Sequence, residues 1–391
     1  MSTEALSIYI HIPFCRSRCS YCDFNTYAGL DQLFIPYARA LVAEIAGSGQ
    51  RWSRPTVDTI YIGGGTPTLL PPELLSEILG ACRRSFDVAA DAEITCEANP
   101  GVQGSDHFAR LRNLGANRLS LGVQSFCDQE LLLLGRRHTV AESEAAYRAA
   151  RVAGFDNINL DLIFGLPGQQ SWAWRSTLQR VVELHPNHIS AYSLTLGIGT
   201  RLGRQVSNGR VVPLDDDLAA DLYLLACEQL ASAGYQHYEI SNWARHTSSN
   251  CVHIPGSACR HNLAYWRNEP YLGFGAGAHS SCDGRRWWNM NAPVDYIERL
   301  EAGESPVAGS EVTHRRLAMG ETMMLGLRLL AEGVPHLGFE HRFGESPLDV
   351  YEEEVMALEE LGLLERLPDR VRLSKRGRLL GNQVFAQFLP S

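Results

Sequence analysis

Cys15, Cys19 and Cys22 form a C-x3-C-x2-C run directly after the apolar stretch IYIHIPF. Three thiolates in one tight loop can hold three irons of a cubane [4Fe–4S] cluster. The fourth iron is then open to an outside ligand, whereas a fully ligated cluster mainly carries electrons. A structural zinc knot is the rival reading. It takes four ligands, commonly as two Cys or His pairs, and here a single triad stands with His11 as the nearest imidazole.

Other chemistry-bearing residues follow strand-like runs. GGGTPT (63–68) ends one of them. Its glycines permit positive φ and close approach of the backbone to a ligand. No Gly-Lys-Ser/Thr follows, so it is not a phosphate-binding P-loop. Glu97 in CEANP, Gln124 in GVQSF, Arg136 in LGRRH and Asp161 in NLDLIFGLP stand at or just past the ends of later runs. A strand-end Asp can accept hydrogen bonds from ribose hydroxyls. Arg136 can hold a carboxylate bidentately, and Glu97 can hold an ammonium. Each alone is commonly a loop-fixing polar group. Together they complement a ligand with an amino-acid end and a nucleoside end.

These residues need a frame, and the first half of the chain supplies one. Runs at 7–12, 57–64, 92–98, 117–123, 157–165 and 188–194 are short, rich in Ile, Leu, Val and Tyr, and end in turn residues. Amphipathic segments at 31–46, 72–86, 106–114, 140–153, 171–184 and 214–233 alternate with them. Six β-α units in series imply a parallel sheet with helices outside and a site at the C-terminal ends of the strands. The stretch 241–305 is rich in His, Cys, Trp, Tyr and Gly without clear periodicity. It is expected as loops and short strands on the barrel mouth, with 245–259 a mobile loop. After Thr313 the order is helix, helix, hairpin, helix, the outline of a small winged-helix-like domain.

Bulk composition narrows the function classes. The chain has 391 residues, 45% hydrophobic and 20% charged, with formal net charge −9. That balance disfavours a broad nucleic-acid surface. From Glu311 onward 13 acidic residues outnumber 10 basic ones, so the C-terminal domain is expected to pack on the barrel or meet a protein rather than DNA. The N-terminus has no basic n-region with a long apolar core, and no apolar run is long enough to span a bilayer. A cytoplasmic location is the expectation, with the ten cysteines mostly reduced. Cys82, Cys96, Cys127 and Cys227 read as small core residues, while Cys251, Cys259 and Cys282 stay open.

The motifs YIHIPFC (9–15), the triad, GGGTPT, RLSLGVQSF (118–126) and NLDLIFGLPGQ (159–169), in that order, resemble radical SAM proteins of the oxygen-independent coproporphyrinogen III oxidase family. The resemblance covers most of the chain. It implies an α/β fold: an incomplete (β/α)6 radical SAM barrel, then the small helical winged-helix-like domain. It also implies a [4Fe–4S] cluster on Cys15, Cys19 and Cys22, with S-adenosylmethionine on the open iron. Gly64, Gly65 and Thr66 would then line the methionine amino end. Glu97 and Arg136 would contact the methionine or ribose part, and Gln124 and Asp161 the ribose side. Tyr9 and Tyr21 would pack around cluster and cofactor. One electron from the cluster would cleave the sulfonium to a 5′-deoxyadenosyl radical.

Two departures separate the chain from the oxidases of that family. Phe24 stands where they carry a further cysteine, and the first strand begins near Ser7 with no long segment before it. His261-Asn262-Leu263-Ala264-Tyr265-Trp266 reads H-N-x-x-Y-W and is similar to the heme-chaperone branch. The imidazole of His261 is a candidate axial heme ligand. A buried, hydrogen-bonded core histidine is the alternative, and Cys259 and His279 are rival ligands. The implied organisation is a barrel over 1–240, a loop-rich heme segment over 241–305 and the helical domain over 306–391. The implied partners are heme and an unidentified heme-acceptor protein, with a homodimer left open. Coproporphyrinogen III decarboxylation is the enzymatic alternative, so enzyme activity stays undecided.

Overall fold

A computed structural model describes residues 6–101, 104–246 and 253–390. Cys251 and part of the loop expected at 245–259 lie outside the described residues.

The six expected strands are β1 (Leu6–Ile12), β2 (Thr56–Gly64), β3 (Asp87–Ala98), β4 (Arg118–Gln124), β5 (Asn157–Phe164) and β6 (His188–Ser193). They pair in parallel in chain order. β1 reads LSIYIHI and is buried at every position but Tyr9, the pattern of a parallel strand covered on both faces. The intervening helices are α1 (Phe34–Arg51), α2 (Pro72–Ser85), α3 (Ser105–Asn113), α4 (Val140–Val152), α5 (Ser171–Leu184) and α6 (Asp216–Ser232). Their starts follow local chemistry. Pro72 opens α2, where its missing N–H costs nothing. Thr139 and Glu142 form a reciprocal capping box on α4. Asp215 caps α6 by accepting from the Asp217 and Leu218 amides.

The sheet extends beyond six strands. A hairpin of β7 (Tyr235–Glu239) and β8 (Asn242–Arg245) adds antiparallel to β6. On the free side of β1, β9 (Tyr271–Phe274) pairs in parallel, followed antiparallel by β10 (His279–Cys282), β11 (Arg285–Asn289) and β12 (Val307–Val312). The order β12-β11-β10-β9-β1-β2-β3-β4-β5-β6-β8-β7 never closes on itself, so the incomplete barrel is open. Part of the middle segment lies at the mouth, where Asn25 of the cysteine loop donates to the Ala276 and Asn291 carbonyls. Much of the segment is sheet. Its helix α7 (Arg260–Trp266) sits at the opposite end, against the N-terminal halves of the strands. There the Glu93 carboxylate accepts from the backbone amides of Arg260 and His261, satisfying donors a helix start leaves bare. Strands of four or five residues are too short to show an alternating period, which hid them in the sequence.

The C-terminal region matches the winged-helix outline. Helices Arg315–Gly326, His336–Phe343, Glu352–Glu360 and Gly381–Ala386 surround a small sheet of Val334–Pro335, Leu364–Arg366 and Arg370–Leu373. It has its own core around Met323, Leu327, Phe339, Val355 and Val371. Arg328 joins it to the barrel: its guanidinium lies 3.6 Å from the buried Glu239 carboxylate and 4.2 Å over the Trp266 ring. No helix among the described residues is long and apolar enough to cross a membrane.

Trp174 on α5 locks two of the outer helices together. It is fully buried, and its indole N–H donates to the Leu222 carbonyl of α6 at 2.9 Å. Trp174→Ala is expected to lower the unfolding free energy by about 3–5 kcal/mol, read from a lowered urea midpoint.

Candidate functional site

The C-terminal ends of β1–β6 surround a cavity of about 500 Å3. All three triad cysteines line it, as do Tyr21, Gly64, Gly65, Thr66, Glu97, Gln124, Arg136 and Asp161. Of the residues expected at the site, Tyr9 and His261 are outside its wall.

The cysteine loop is anchored on several sides. Phe14–Cys15 pairs with Tyr27–Ala28 in a two-residue parallel bridge. The Ser20 amide donates to the Leu134 carbonyl, and the Leu202 amide to the Ser20 carbonyl. His11 Nε2 bonds the Asn25 carbonyl at 2.9 Å, and Asn25 Nδ2 donates to the Ala276 and Asn291 carbonyls. Each sulfur has one polar neighbour: Thr66 Oγ1 at 3.8 Å from Cys15, Arg136 Nη1 at 3.5 Å from Cys19, and Thr26 Oγ1 at 3.7 Å from Cys22. Burial pushes the Cys15 thiol up to about 11, so metal must displace its proton on binding. Among the described residues no three His, Cys, Asp or Glu side chains gather to hold a single ion. A cubane asks for a different arrangement, with each thiolate on its own iron. Three cysteines on one loop, facing one cavity, suit that demand.

The glycines of GGGTPT are required by close approach to this loop. Gly64 has φ +114°, and a Cβ there would lie 2.6 Å from the His11 ring. A Cβ on Gly65 would lie 2.5 Å from the Phe14 carbonyl oxygen and 3.0 Å from Cys15 Sγ. Real Cβ atoms do not tolerate such distances from backbone, so β2 can abut the cysteine loop only as glycine.

The strand-end polar set is prearranged. Glu97 Oε1 accepts from the Tyr61 hydroxyl at 2.8 Å, and Oε2 from the Gly64 amide at 3.0 Å. Burial, aided by the nearby Asp161 charge, raises its carboxyl to about 7. Asp161 accepts from Ser120 Oγ and Asn159 Nδ2, both at 2.8 Å, and burial raises its pKa as well. Gln124 has φ +70°, where the β4–β5 register slips. A left-handed glutamine is strained backbone of the kind found at functional sites. Arg136 is also engaged within the protein. Its Nη2 donates to Asn99 Oδ1 and to the Gly122 carbonyl, while Nη1 reaches Cys19. It ties the cysteine loop to β4 and sets a fixed positive charge beside the thiols.

Several cavity residues carried no sequence signal. Asn99 bridges Arg136 and Thr66, and only its place directly after a strand-end Glu and Ala in CEANP hinted at it. Tyr61 and Tyr192 also line the cavity, and no spacing rule marks a strand tyrosine as a wall.

Tyr9 lies one layer behind the wall. It stacks on Tyr61 with centroids 6.3 Å apart, and its hydroxyl bonds His11 Nδ1 at 2.9 Å. His261 is a buried core histidine, 1% exposed, at the far end of the strands. Nδ1 bonds Thr59 Oγ1 at 2.8 Å and Nε2 bonds the Tyr265 hydroxyl at 3.2 Å. Both ring nitrogens are thus engaged within the protein in this arrangement. Cys259 is buried against Glu93, and exposed His279 stacks on Trp288.

Glu97 makes the site sensitive to pH. Its folded-state pKa is raised above the usual 4.5, so its contribution to stability is complete below about 4.5 and lost as pH rises through about 7. A cationic ligand needs the ionised form. Affinity of the cavity for an ammonium is therefore expected to rise between pH 6 and 8 in equilibrium dialysis, and Glu97→Gln is expected to flatten that rise. Gly65→Val is expected to disrupt the cysteine loop, seen as loss of iron uptake and its visible absorbance on reconstitution.

Comparison with known proteins agrees with this geometry. The radical SAM superfamily matches residues 9–181 and the HemN C-terminal domain residues 314–380. Heme chaperone HemW of Mycobacterium tuberculosis is 38% identical, covering 100% of this chain and 96% of its own length. Heme chaperone HemW of Bacillus subtilis is 36% identical over 98% of this chain and 99% of its own, and that of Escherichia coli 36% over 98% of each. The solved structure of coproporphyrinogen III oxidase (HemN) from Escherichia coli, a radical SAM enzyme, superposes with TM-score 0.84 at 25% identity, covering 99% of this chain and 91% of that one. The chain belongs to the HemW family of radical SAM proteins.

Proposed function

We propose that the protein is a heme chaperone that binds heme and passes it to an acceptor protein in the cytoplasm, and that its barrel carries a [4Fe–4S] cluster with exchangeable S-adenosylmethionine. The observation that carries the heme reading is full-length similarity to proteins named for it, 38% over the whole chain in one case. Phe24 supports it over decarboxylation. It is 64% exposed in the cavity wall, two residues after Cys22, where the oxidases resembled carry a cysteine. The division into a barrel (1–240), a middle segment (241–305) and a helical domain (306–391) belongs to the same reading.

The donor set fits both resident groups. Cys15, Cys19 and Cys22 would take three irons. Gly64, Gly65 and Thr66 would lie along the methionine end, with Glu97 as counter-ion to its ammonium. Gln124 and Asp161 would take the ribose side, and Tyr21 would cover the cluster. Arg136 holds loop and strand together beside the cysteines, and its charge partly offsets the burial that raises the Cys15 thiol. Bound to a reduced cluster, S-adenosylmethionine supplies one-electron cleavage of its sulfonium. The protein's part is to seat the ammonium, orient the ribose and limit water.

The alternative is oxidative decarboxylation of coproporphyrinogen III, favoured by the close superposition on HemN. Two assays separate the readings. Anaerobic reconstitution and heme titration are expected to give a Soret band saturating near one heme per chain, and no such band would sink the chaperone reading. Incubation with coproporphyrinogen III, S-adenosylmethionine and a strong reductant is expected to leave the substrate unchanged. Protoporphyrinogen with matching 5′-deoxyadenosine would establish the alternative.

A further inference from the structure

The HNLAYW helix and the ligand cavity lie at opposite ends of the strands, yet one aromatic ring separates them. His261 lies against Tyr61 with centroids 5.1 Å apart and planes inclined by 28°. The hydroxyl of the same Tyr61 donates to Glu97 Oε1 at 2.8 Å. Glu97 in turn accepts the Gly64 amide. On another side Tyr61 is flanked by Tyr9, whose hydroxyl bonds His11, which bonds the cysteine-loop carbonyl of Asn25. The Tyr61 ring is thus flanked by His261 and Tyr9, and its one polar atom points at the cavity carboxylate.

The imidazole is held in place as firmly as the ring it supports. Thr59 and Tyr265 take its two nitrogens, and Glu93 fixes the helix start that carries it. Burial, with Arg118 nearby, lowers its pKa to about 3. The ring is therefore neutral at any physiological pH. A neutral ring supports Tyr61 without placing a second titrating charge beneath the carboxylates.

We propose that His261 and Tyr61 are positioning residues for Glu97, so that the HNxxYW motif supports the cofactor cavity from beneath. The proposal rests on the reading that Glu97 meets the ammonium of S-adenosylmethionine. A carboxylate in a buried wall has several orientations open to it, and only one faces the ligand. The Tyr61 hydroxyl and Gly64 amide select that one, and His261 keeps the hydroxyl in place. Other groups facing Glu97 are Asp161, Arg118, Tyr9 and Tyr192. None of them is altered by the substitutions below.

The test measures S-adenosylmethionine binding to anaerobically reconstituted full-length protein between pH 6 and 8.5. Tyr61→Phe keeps every ring and removes one hydroxyl. His261→Leu removes the support, and His261→Phe restores a ring. Tyr61→Phe and His261→Leu are expected to weaken binding about tenfold, the scale of one hydrogen bond to a charged group, and to move the midpoint of the pH profile. His261→Phe is expected to recover most of the affinity and the pH midpoint. Wild-type affinity and pH midpoint in Tyr61→Phe would overturn the proposal, even where His261→Leu fails to fold. So would His261→Phe binding S-adenosylmethionine no better than His261→Leu. Absence of binding in wild type, or Glu97→Gln binding as wild type does, would instead fell the cofactor reading on which the proposal stands.

Discussion

The contact between the glycine end of β2 and the cysteine loop is the constraint on which the site depends. Gly64 lies over the His11 ring, and Gly65 against Phe14 and Cys15, at distances no side chain permits. Backbone hydrogen bonds fasten the same contact, from Gly65 to the Ile12 carbonyl and from Thr66 to the Phe14 carbonyl. Strand and loop therefore move as one body. The Thr66 hydroxyl, the Glu97 carboxylate on the Gly64 amide, and Asn99 on Thr66 all take their positions from it.

Beneath the cavity the strands enclose a polar interior, unusual for a packed α/β core. Arg118 is 2% exposed, close to Glu93 and to the Cys259 thiol, and its charge also reaches Glu97 and Asp161. A buried guanidinium is tolerable only among acceptors and anions. Here its charge partly offsets the rise that burial imposes on the Glu97 and Asp161 carboxyls. His188 and His261 are both held neutral by burial, so they add hydrogen bonds without adding charge. Asn159 links His188, Ser190, Ser120 and Asp161 in one network.

The sequence made some of this plain and hid the rest. The six parallel strands were legible because each is a buried run closed by turn residues, and Cys15, Gly64, Glu97, Gln124 and Asp161 were legible as the residues closing or following those runs. Tyr61 was not, since a tyrosine inside a strand is first a good strand former. The place of helix α7 was not legible either. His261 reads from its motif as a heme ligand or a buried core histidine, and its three-dimensional neighbours, Thr59, Glu93 and Tyr61, show that it faces inward. Sequence order carries no direct information about which end of a sheet a later helix will reach. β9 was lost for the same reason. Its four residues acquire meaning only through a partner, β1, more than 250 positions earlier.

That pairing has a consequence for the order in which the protein can be made. β1 and the three cysteines are synthesised well before the partners that complete their surroundings. β1 stays an edge strand until Tyr271–Phe274 has been synthesised, and the cysteine loop lacks its Asn25 bonds until Ala276 and Asn291 follow. With synthesis proceeding at about 5–20 residues per second, the thiols wait on the order of ten seconds or more before their pocket has all its walls. The walls of the cavity are thus complete only once most of the chain has been translated.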